Sequence, residues 1–267
     1  MSVQRIKLRG TGYYHIYSRL VLGEFLLTDK KEKFLEITKK VAYFSGVEVL
    51  TYAIMDSHFH LLIKVLPVDD LTEEVVIDRY RHLYGDDEAD DLAKRWDDYK
   101  KAGNTERYDE EFKALTNRMG DISHFTKNIK QRFTQWYLRT EKQRGTIWQG
   151  RFGSTLIEGN DKLPEIRSLV QVATYIEENP VRAKMVEKSG DYAYTGYGAA
   201  KRGNEEAKAG IGKLYNCKPD DAMVAIAGML ATTHFKSKND DLVRSLVIGS
   251  QKYGLQFTHK VAKITEV

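Results

Sequence analysis

Two histidines, His58 and His60, flank a phenylalanine at the start of the apolar run in the segment MDSHFHLLIKV, residues 55–65. Successive side chains of a β-strand point to opposite faces, so both imidazoles are expected on one face and Phe59 on the other. Imidazole is the commonest metal-binding side chain, and a strand would hold both donors rigidly. A pair of buried, hydrogen-bonded histidines is the alternative interpretation, and a metal site would need a third ligand from elsewhere.

A second group with chemical potential is Tyr175, in a segment whose periodicity predicts a helix over residues 163–179. Tyr175 and Asn179 are four residues apart and therefore share one helix face. That face lies roughly opposite the apolar stripe formed by Leu163, Ile166, Leu169, Val170, Ala173 and Ile176. The alternatives are an ordinary surface tyrosine and an asparagine that only marks a helix end before Pro180.

The elements that must position these residues follow the order βαββ, insertion, α, β, α. We expect an α+β fold in which helices pack on an antiparallel sheet. The segments are a strand at 13–21, a helix at 29–45 capped by Asp29 and ended by Gly46, a hairpin of strands at 47–55 and 58–66, a helix at 121–144, and a turn and strand in GTIWQGRFGSTLIEG, residues 145–159. The charged segment at about 67–120 is expected to form inserted helices, and residues 222–232 a further helix.

Charge is unevenly distributed along the 267 residues, although the net charge is only +4. Residues 69–112 hold 16 acidic and 7 basic side chains, so the rest of the chain carries a net charge of +13. That excess of positive charge is typical of a surface that binds a polyanion, although it also serves solubility. The single cysteine, Cys217, excludes an intramolecular disulfide, and we expect a cytoplasmic protein with no membrane partner.

Several motifs, taken in order, resemble the REP-associated tyrosine transposases of bacteria, which are related to insertion-sequence transposases with a His-hydrophobe-His (HUH) motif and one catalytic tyrosine. They are MDSHFHLLIKV, IWQGRF, YIEENPVRAKMVE and DYAYTGY, and the opening strand GTGYYHI is also similar. The resemblance covers roughly residues 10–198 outside the insertion. It implies a ferredoxin-like sheet of the HUH nuclease type in a catalytic domain over residues 1–198, with residues 199–267 as a small C-terminal appendage.

The same resemblance implies roles for individual residues. His58 and His60 would bind a divalent metal ion, Asn179 would complete its site, and Tyr175 would be the nucleophile that forms a 5′-phosphotyrosine. The ion implied is Mg²⁺ or Mn²⁺, although two imidazoles would also suit zinc. The family pattern is not complete, because Met55-Asp56-Ser57 replaces Met-Pro-Asn and Tyr194-Thr195-Gly196 replaces Trp-Ser-Ser.

The expected substrate is single-stranded DNA with a hairpin, bound by a monomer or homodimer associated with the nucleoid. Basic side chains would neutralise phosphates and aromatic rings would stack on bases, although a solvated face or core packing would explain them equally well. The candidates are Arg5, Lys7, Arg9, Lys127, Lys130, Arg132, Arg139, Trp148, Arg151 and Phe152. The rival functions are a nicking or relaxase-like enzyme and a non-catalytic DNA-binding regulator of repeat elements.

Overall fold

The computed structural model describes residues 6–8, 10–21, 25–159, 167–232, 247–248 and 264–265. Its centre is an antiparallel sheet of four strands in the order β2-β3-β1-β4. Two short parallel strands, β5 and β6, extend the sheet beyond β4. The strands are β1 (Gly12–Arg19), β2 (Val47–Ile54), β3 (His58–Val65), β4 (Gly153–Ile157), β5 (Val247–Ile248) and β6 (Ile264–Thr265).

Ten helices surround the sheet in the described part of the chain. They are α1 (Lys31–Ser45), α2 (Glu73–Tyr84), α3 (Asp86–Lys101), α4 (Thr105–Thr116), α5 (Ile122–Thr140), α6 (Arg167–Glu177), α7 (Asn179–Arg182), α8 (Gly196–Lys201), α9 (Glu205–Tyr215) and α10 (Pro219–Thr232). The order β1-α1-β2-β3-α5-β4 with the sheet order above is the ferredoxin-like topology, which confirms the predicted α+β fold.

One face of the sheet packs on α1 and α5. Phe59 of β3 is fully buried there, and its ring centroid lies 4.9 Å from that of Phe34 and 5.7 Å from that of Trp148. Phe133 of α5 meets Phe34 edge-on at 5.3 Å. These contacts form an aromatic centre that joins both helices to the central strand, and such ring pairs contribute beyond the area they bury.

The opposite face of the sheet packs on α6. Leu62 and Leu50 from the strands and Leu169, Val172 and Ile176 from the helix belong to one buried cluster there. Strand β3 is therefore buried on both faces and alternates between two cores. Its histidines lie on the α6 side.

The charged segment at about 67–120 is helical as predicted and forms α2, α3 and α4. Trp96 is fully buried among these helices, and its indole N–H donates to Glu111 at 3.0 Å. The carboxylate of Glu111 also accepts from Arg95 at 3.1 Å. The insertion thus has its own buried centre and packs on the layer formed by α1.

Helix boundaries differ from the predictions in informative ways. Helix α1 begins at Lys31, after Lys30, so the predicted cap at Asp29 is wrong, because its carboxylate pairs with the Lys30 ammonium instead. Gly46 ends α1 as predicted, with a left-handed φ of 63°. The predicted third helix is broken after Glu177, and residues 163–166 lie outside the described residues.

The C-terminal helices pack directly on the sheet edge. Helix α9 lies against β2, where an added Cβ at Gly210 would stand 2.7 Å from the carbonyl oxygen of Val49. Only glycine allows so close an approach of two backbones. The predicted helix at 222–232 is confirmed within α10, and none of the helices in the described ranges has the length and apolar character needed to cross a bilayer.

Truncating Phe59 should be strongly destabilising, because its fully buried ring joins both helices to β3. We expect Phe59→Ala to lower the free energy of unfolding by about 3–5 kcal/mol in urea titrations. Phe25→Ala serves as the control, since Phe25 is 69% exposed, and should change stability little. Equal losses for both variants would contradict this role of Phe59.

Candidate active site

The two histidines of β3 lie side by side on the face that packs against α6. Their ring centroids are 5.2 Å apart and their planes nearly perpendicular, at 87°. The register of β1 places Tyr17 opposite His60 and Arg19 opposite His58 on that same face. Adjacent imidazoles on one face are thus as the sequence predicted, and we call this surface the imidazole face.

Tyr175 of α6 reaches the imidazole face. Its ring meets that of His60 edge-on, with 5.9 Å between centroids, and it is only 6% exposed. The expectation that Tyr175 lies outside the core is therefore wrong, because it belongs to the same buried cluster as the apolar residues of α6.

Glu177 anchors α6 to the sheet. Its carboxylate accepts hydrogen bonds from the hydroxyl of Thr51 on β2 and from the backbone N–H of Tyr197 at 2.9 Å. Burial raises the pKa of Glu177 to about 7, while its hydrogen bonds lower it. This anchor fixes how Tyr175 faces the histidines.

A third imidazole, His15 of β1, was missed by the sequence reasoning. It is 1% exposed, and its Nε2 lies 2.8 Å from Nδ1 of His60. Its ring also meets Tyr175 edge-on at 6.0 Å. The residue stands in the quoted segment GTGYYHI, and only the pairing register of β1 with β3 brings it beside His60.

Arg182 was also missed, although it belongs to the quoted motif YIEENPVRAKMVE. Its guanidinium carbon lies 3.9 Å from the ring centroid of Tyr175, a cation–π contact. It donates to the backbone oxygen of Tyr175 at 3.3 Å and to Oδ1 of Asn179 at 3.0 Å. Arg182 thus covers one side of the tyrosine and adds positive charge beside the histidines.

Asn179 is 8% exposed and closes the C-terminal end of α6. Its amide nitrogen donates to the carbonyl oxygens of Tyr175 and Ile176 at 3.0 and 3.2 Å, while its oxygen accepts from Arg182. An amide oxygen has a second lone pair, so these bonds leave one acceptor position. The role of Asn179 as a metal ligand stays a prediction.

The loop that precedes His58 departs from the family pattern and has its own support. The ammonium of Lys31 is nearly buried and lies 2.5 Å from the Asp56 carboxylate. The ammonium also donates to the backbone carbonyl oxygen of Thr28 at 2.9 Å. This ion pair ties the β2–β3 turn to the start of α1.

All three histidines are held neutral at physiological pH. Burial lowers the pKa of His15 to about 3 and that of His58 to about 4, and the positive charge of Arg182 adds to both shifts. Burial also lowers the pKa of His60 well below its usual range. Neutral imidazole is the form that binds metal.

The histidine pair fits a divalent ion in geometry. The two ring centroids stand 5.2 Å apart, close enough for both imidazoles to contact one ion. Each ring has a partner at Nδ1, Ser57 for His58 at 3.2 Å and His15 for His60, so Nε2 is the nitrogen of each ring that would face a metal. Among the described residues no group of three or more His, Cys, Asp and Glu side chains is arranged for metal binding.

Tyr17 is a second tyrosine beside the imidazoles. Its ring stacks on His60 with centroids 5.9 Å apart, the same distance as for Tyr175. Gly153 of β4 leaves room for it, because a Cβ at that position would overlap the Tyr17 ring. Ring distance to His60 therefore does not distinguish the two tyrosines, whereas Arg182 lies over the ring of Tyr175.

A surface groove begins at Tyr17 and runs towards α5. Its first part, about 400 Å³, is lined by Tyr17, Arg19 and Arg151 among others. Its second part, about 670 Å³, shares Gly150 and Arg151 with the first. The second part holds five predicted DNA-binding residues, Lys127, Lys130, Trp148, Arg151 and Phe152, and we call the two parts together the basic groove.

The remaining predicted DNA-binding residues lie elsewhere. Lys7 forms an ion pair with Asp121, and Arg132 lies over the ring of Tyr84 in the insertion. Arg139 is exposed near the end of α5, and Arg5 and Arg9 lie outside the described residues. Trp148 lines the groove but is 8% exposed and packs in the aromatic core, so Phe152 is the more accessible ring.

No family model and no curated protein matches the chain. Among solved structures, the chain is similar to a REP-associated tyrosine transposase bound to a REP hairpin, with 16% identity, a TM-score of 0.44, and coverage of 76% of this chain and 87% of that one. It is also similar to a candidate transposase from Deinococcus radiodurans R1, with 16% identity, a TM-score of 0.26, and coverage of 67% and 97%. The function is therefore inferred from the geometry of the chain's own residues.

The buried histidines should make the fold sensitive to acid. Their folded-state pKa values are lowered, so below about pH 6.5 the unfolded chain binds protons that the folded chain does not, and stability falls as the pH falls. We expect His15→Phe to reduce the slope of the free energy of unfolding against pH by about 1 kcal/mol per pH unit between about pH 6 and 5. Urea titrations across this range measure it, and an unchanged slope would show that His15 is not a buried neutral imidazole.

Proposed function

We propose that the chain is a metal-dependent endonuclease and transposase that cuts and rejoins single-stranded DNA through a 5′-phosphotyrosine. The observation that carries this proposal is the meeting of Tyr175 from α6 with the paired imidazoles of β3, at 5.9 Å between the rings of Tyr175 and His60. These groups are separated by more than a hundred residues in the sequence and share no element. A phenol, two neutral imidazoles and a nearby guanidinium together suit phosphoryl transfer better than core packing.

His58 and His60 would hold a divalent ion through Nε2, and the oxygen of Asn179 would complete its protein ligands. Bound there, the ion supplies Lewis-acid polarisation of the phosphodiester and stabilises the charge of the transition state. Mg²⁺ or Mn²⁺ is the proposed cofactor, because phosphate and amide oxygens provide the remaining donors. Both rings are neutral at pH 7, so each keeps one lone pair, which lies on Nε2 where Nδ1 carries the proton.

In the cleavage step the phenolic oxygen of Tyr175 attacks phosphorus while the bond from phosphorus to the 3′ oxygen breaks. The phenol gives up its proton, the released 3′ oxygen gains one, and the 5′ phosphate stays bound to Tyr175. A second 3′-hydroxyl can then attack this phosphotyrosine and rejoin the strand without an external energy source. Arg182, stacked on the Tyr175 ring, provides fixed positive charge next to the reacting groups.

The basic groove offers a path for the DNA strand. It starts at Tyr17, whose ring stacks on His60, and continues past Arg151 to Lys127 on α5. Lysine and arginine there would contact phosphates, and Phe152 at the groove wall would stack on a base. The strand would thus enter the site from the β4 side of the sheet.

A hairpin in single-stranded DNA is the proposed substrate, bound by a monomer or homodimer at the nucleoid. A nicking enzyme would use the same residues but would not rejoin the strands. A non-catalytic regulator would bind the DNA without forming a covalent bond. The covalent-adduct test below separates these functions.

Tyr175→Phe should abolish the covalent adduct while sparing DNA binding, because only the nucleophilic oxygen is removed. The measurement is a denaturing gel of protein incubated with labelled single-stranded hairpin DNA and Mg²⁺ or Mn²⁺, together with a binding titration. Tyr17→Phe is the matched control, since Tyr17 lies equally close to His60.

The adduct should persist in the Tyr17→Phe protein. Loss of the adduct in that variant alone would assign the reaction to Tyr17 instead. Binding by the wild-type protein with no adduct would support the regulator, and cleavage without strand rejoining would support the nicking enzyme.

Replacing groove cations should weaken single-strand binding uniformly across DNA sequences. Lys127→Ala and Arg151→Ala each remove one charge from the basic groove and should each reduce the slope of log affinity against log salt by about 0.7. Lys113→Ala, on exposed α4 in the insertion, is the control and should leave the slope unchanged. Equal effects at all three positions would argue against a specific groove.

A further inference from the structure

His15 is the buried histidine that the proposed chemistry leaves without a role. It lies on β1 beside β3, and pairing Tyr17 with His60 places it diagonally next to His60 on the imidazole face. Its Nε2 is 2.8 Å from Nδ1 of His60, within hydrogen-bond distance. The two rings are also nearly parallel, with an angle of 23° between their planes.

This hydrogen bond constrains the tautomers of both rings. A neutral imidazole carries one N–H, so exactly one of the two facing nitrogens is the donor. If His60 donates from Nδ1, its Nε2 keeps a lone pair and can bind a metal ion. If His15 donates instead, Nε2 of His60 carries the proton and His60 cannot be a ligand.

His15 is poorly suited to a purely structural role. Its Nδ1 is buried and has no hydrogen-bond partner among the described residues, which is unfavourable relative to a satisfied or apolar side chain. A phenylalanine would fill a similar space between Tyr17 and Tyr175 without an unpaired nitrogen of its own. A buried polar group that is retained despite its cost calls for a use of its other nitrogen.

His15 is also poorly placed to act on DNA or metal directly. It is 1% exposed, and its one partnered nitrogen already faces His60. It can therefore reach the reaction only through that histidine.

We infer that His15 is a positioning residue, whose Nε2 accepts a hydrogen bond from Nδ1–H of His60 and so directs the Nε2 lone pair of His60 towards the metal position beside His58. The inference rests on the metal site of the proposed function. It adds a partner that orients the ligand, in the way that carboxylates and carbonyl groups orient metal-binding histidines in other proteins.

The experiment uses the full chain with ¹⁵N-labelled histidine and without DNA. Long-range ¹H–¹⁵N NMR spectra identify the protonated nitrogen of His60, and titration with Mn²⁺ follows the broadening of the His58 and His60 resonances. The variants are His15→Phe, which removes the acceptor, and His15→Gln, whose amide oxygen can replace it. Leu62→Val, at the β3 position paired with His15, controls for altered packing.

We expect the Nδ1–H tautomer for His60 in the wild-type protein and an Nε2–H fraction in His15→Phe. Affinity for Mn²⁺ should fall about 10- to 100-fold in His15→Phe, recover to within a few-fold in His15→Gln, and stay unchanged in Leu62→Val. A merely structural histidine would leave the tautomer of His60 and its affinity for Mn²⁺ unchanged.

An Nε2–H tautomer of His60 in the wild-type protein, or undiminished Mn²⁺ affinity in His15→Phe, would overturn the inference. These readouts need no DNA, so they fail separately from the proposed function. If the NMR results hold but no covalent adduct forms with DNA, the transposase proposal fails and the role of His15 stands. If the adduct forms and His15→Phe binds Mn²⁺ normally, only the role of His15 fails.

Discussion

The burial of β3 on both faces is the constraint on which the rest of the structure depends. Its odd-numbered residues, such as Phe59 and Leu61, pack against α1 and α5, and its even-numbered residues, such as His60 and Leu62, face α6. A shift of the pairing by one residue would exchange the two sets and move the histidines into the aromatic core. The aromatic contacts of Phe59 therefore fix the position of the histidines as firmly as any contact of the histidines themselves.

Buried polar groups that destabilise the fold are concentrated at the candidate site. Three buried side-chain atoms lack a hydrogen-bond partner among the described residues, and two of them, Nδ1 of His15 and Oε2 of Glu177, belong to residues beside or behind the imidazole face. Burial lowers the pKa of His15 and raises that of Glu177, so both groups favour their neutral forms. Each of these unpartnered atoms lowers the stability of the fold, and the two well-packed cores offset that loss.

The distribution of charge separates the acidic insertion from the basic groove. Many of the acidic side chains of α2, α3 and α4 pair within the insertion, as Arg81 does with Asp86 and Asp90, and Lys100 with Glu73. Part of the insertion's negative charge is thus neutralised by its own basic side chains, while the groove keeps Lys127 and Arg151 at its surface. Positive charge outside the insertion is thus exposed in part at the basic groove.

The sequence by itself determined the order of the elements, the pair of histidines on one strand face, and the helical insertion, because alternation and helical periodicity are local properties of the chain. It also drew attention to Tyr175 and Asn179 as a pair four residues apart. Tertiary structure alone decided that His15 lies beside His60, that Arg182 covers Tyr175, and that Tyr175 is buried rather than exposed. Those outcomes depend on the register between β1 and β3 and on the packing of α6 against a second face of the sheet, and contacts between distant segments leave no periodic trace in the sequence.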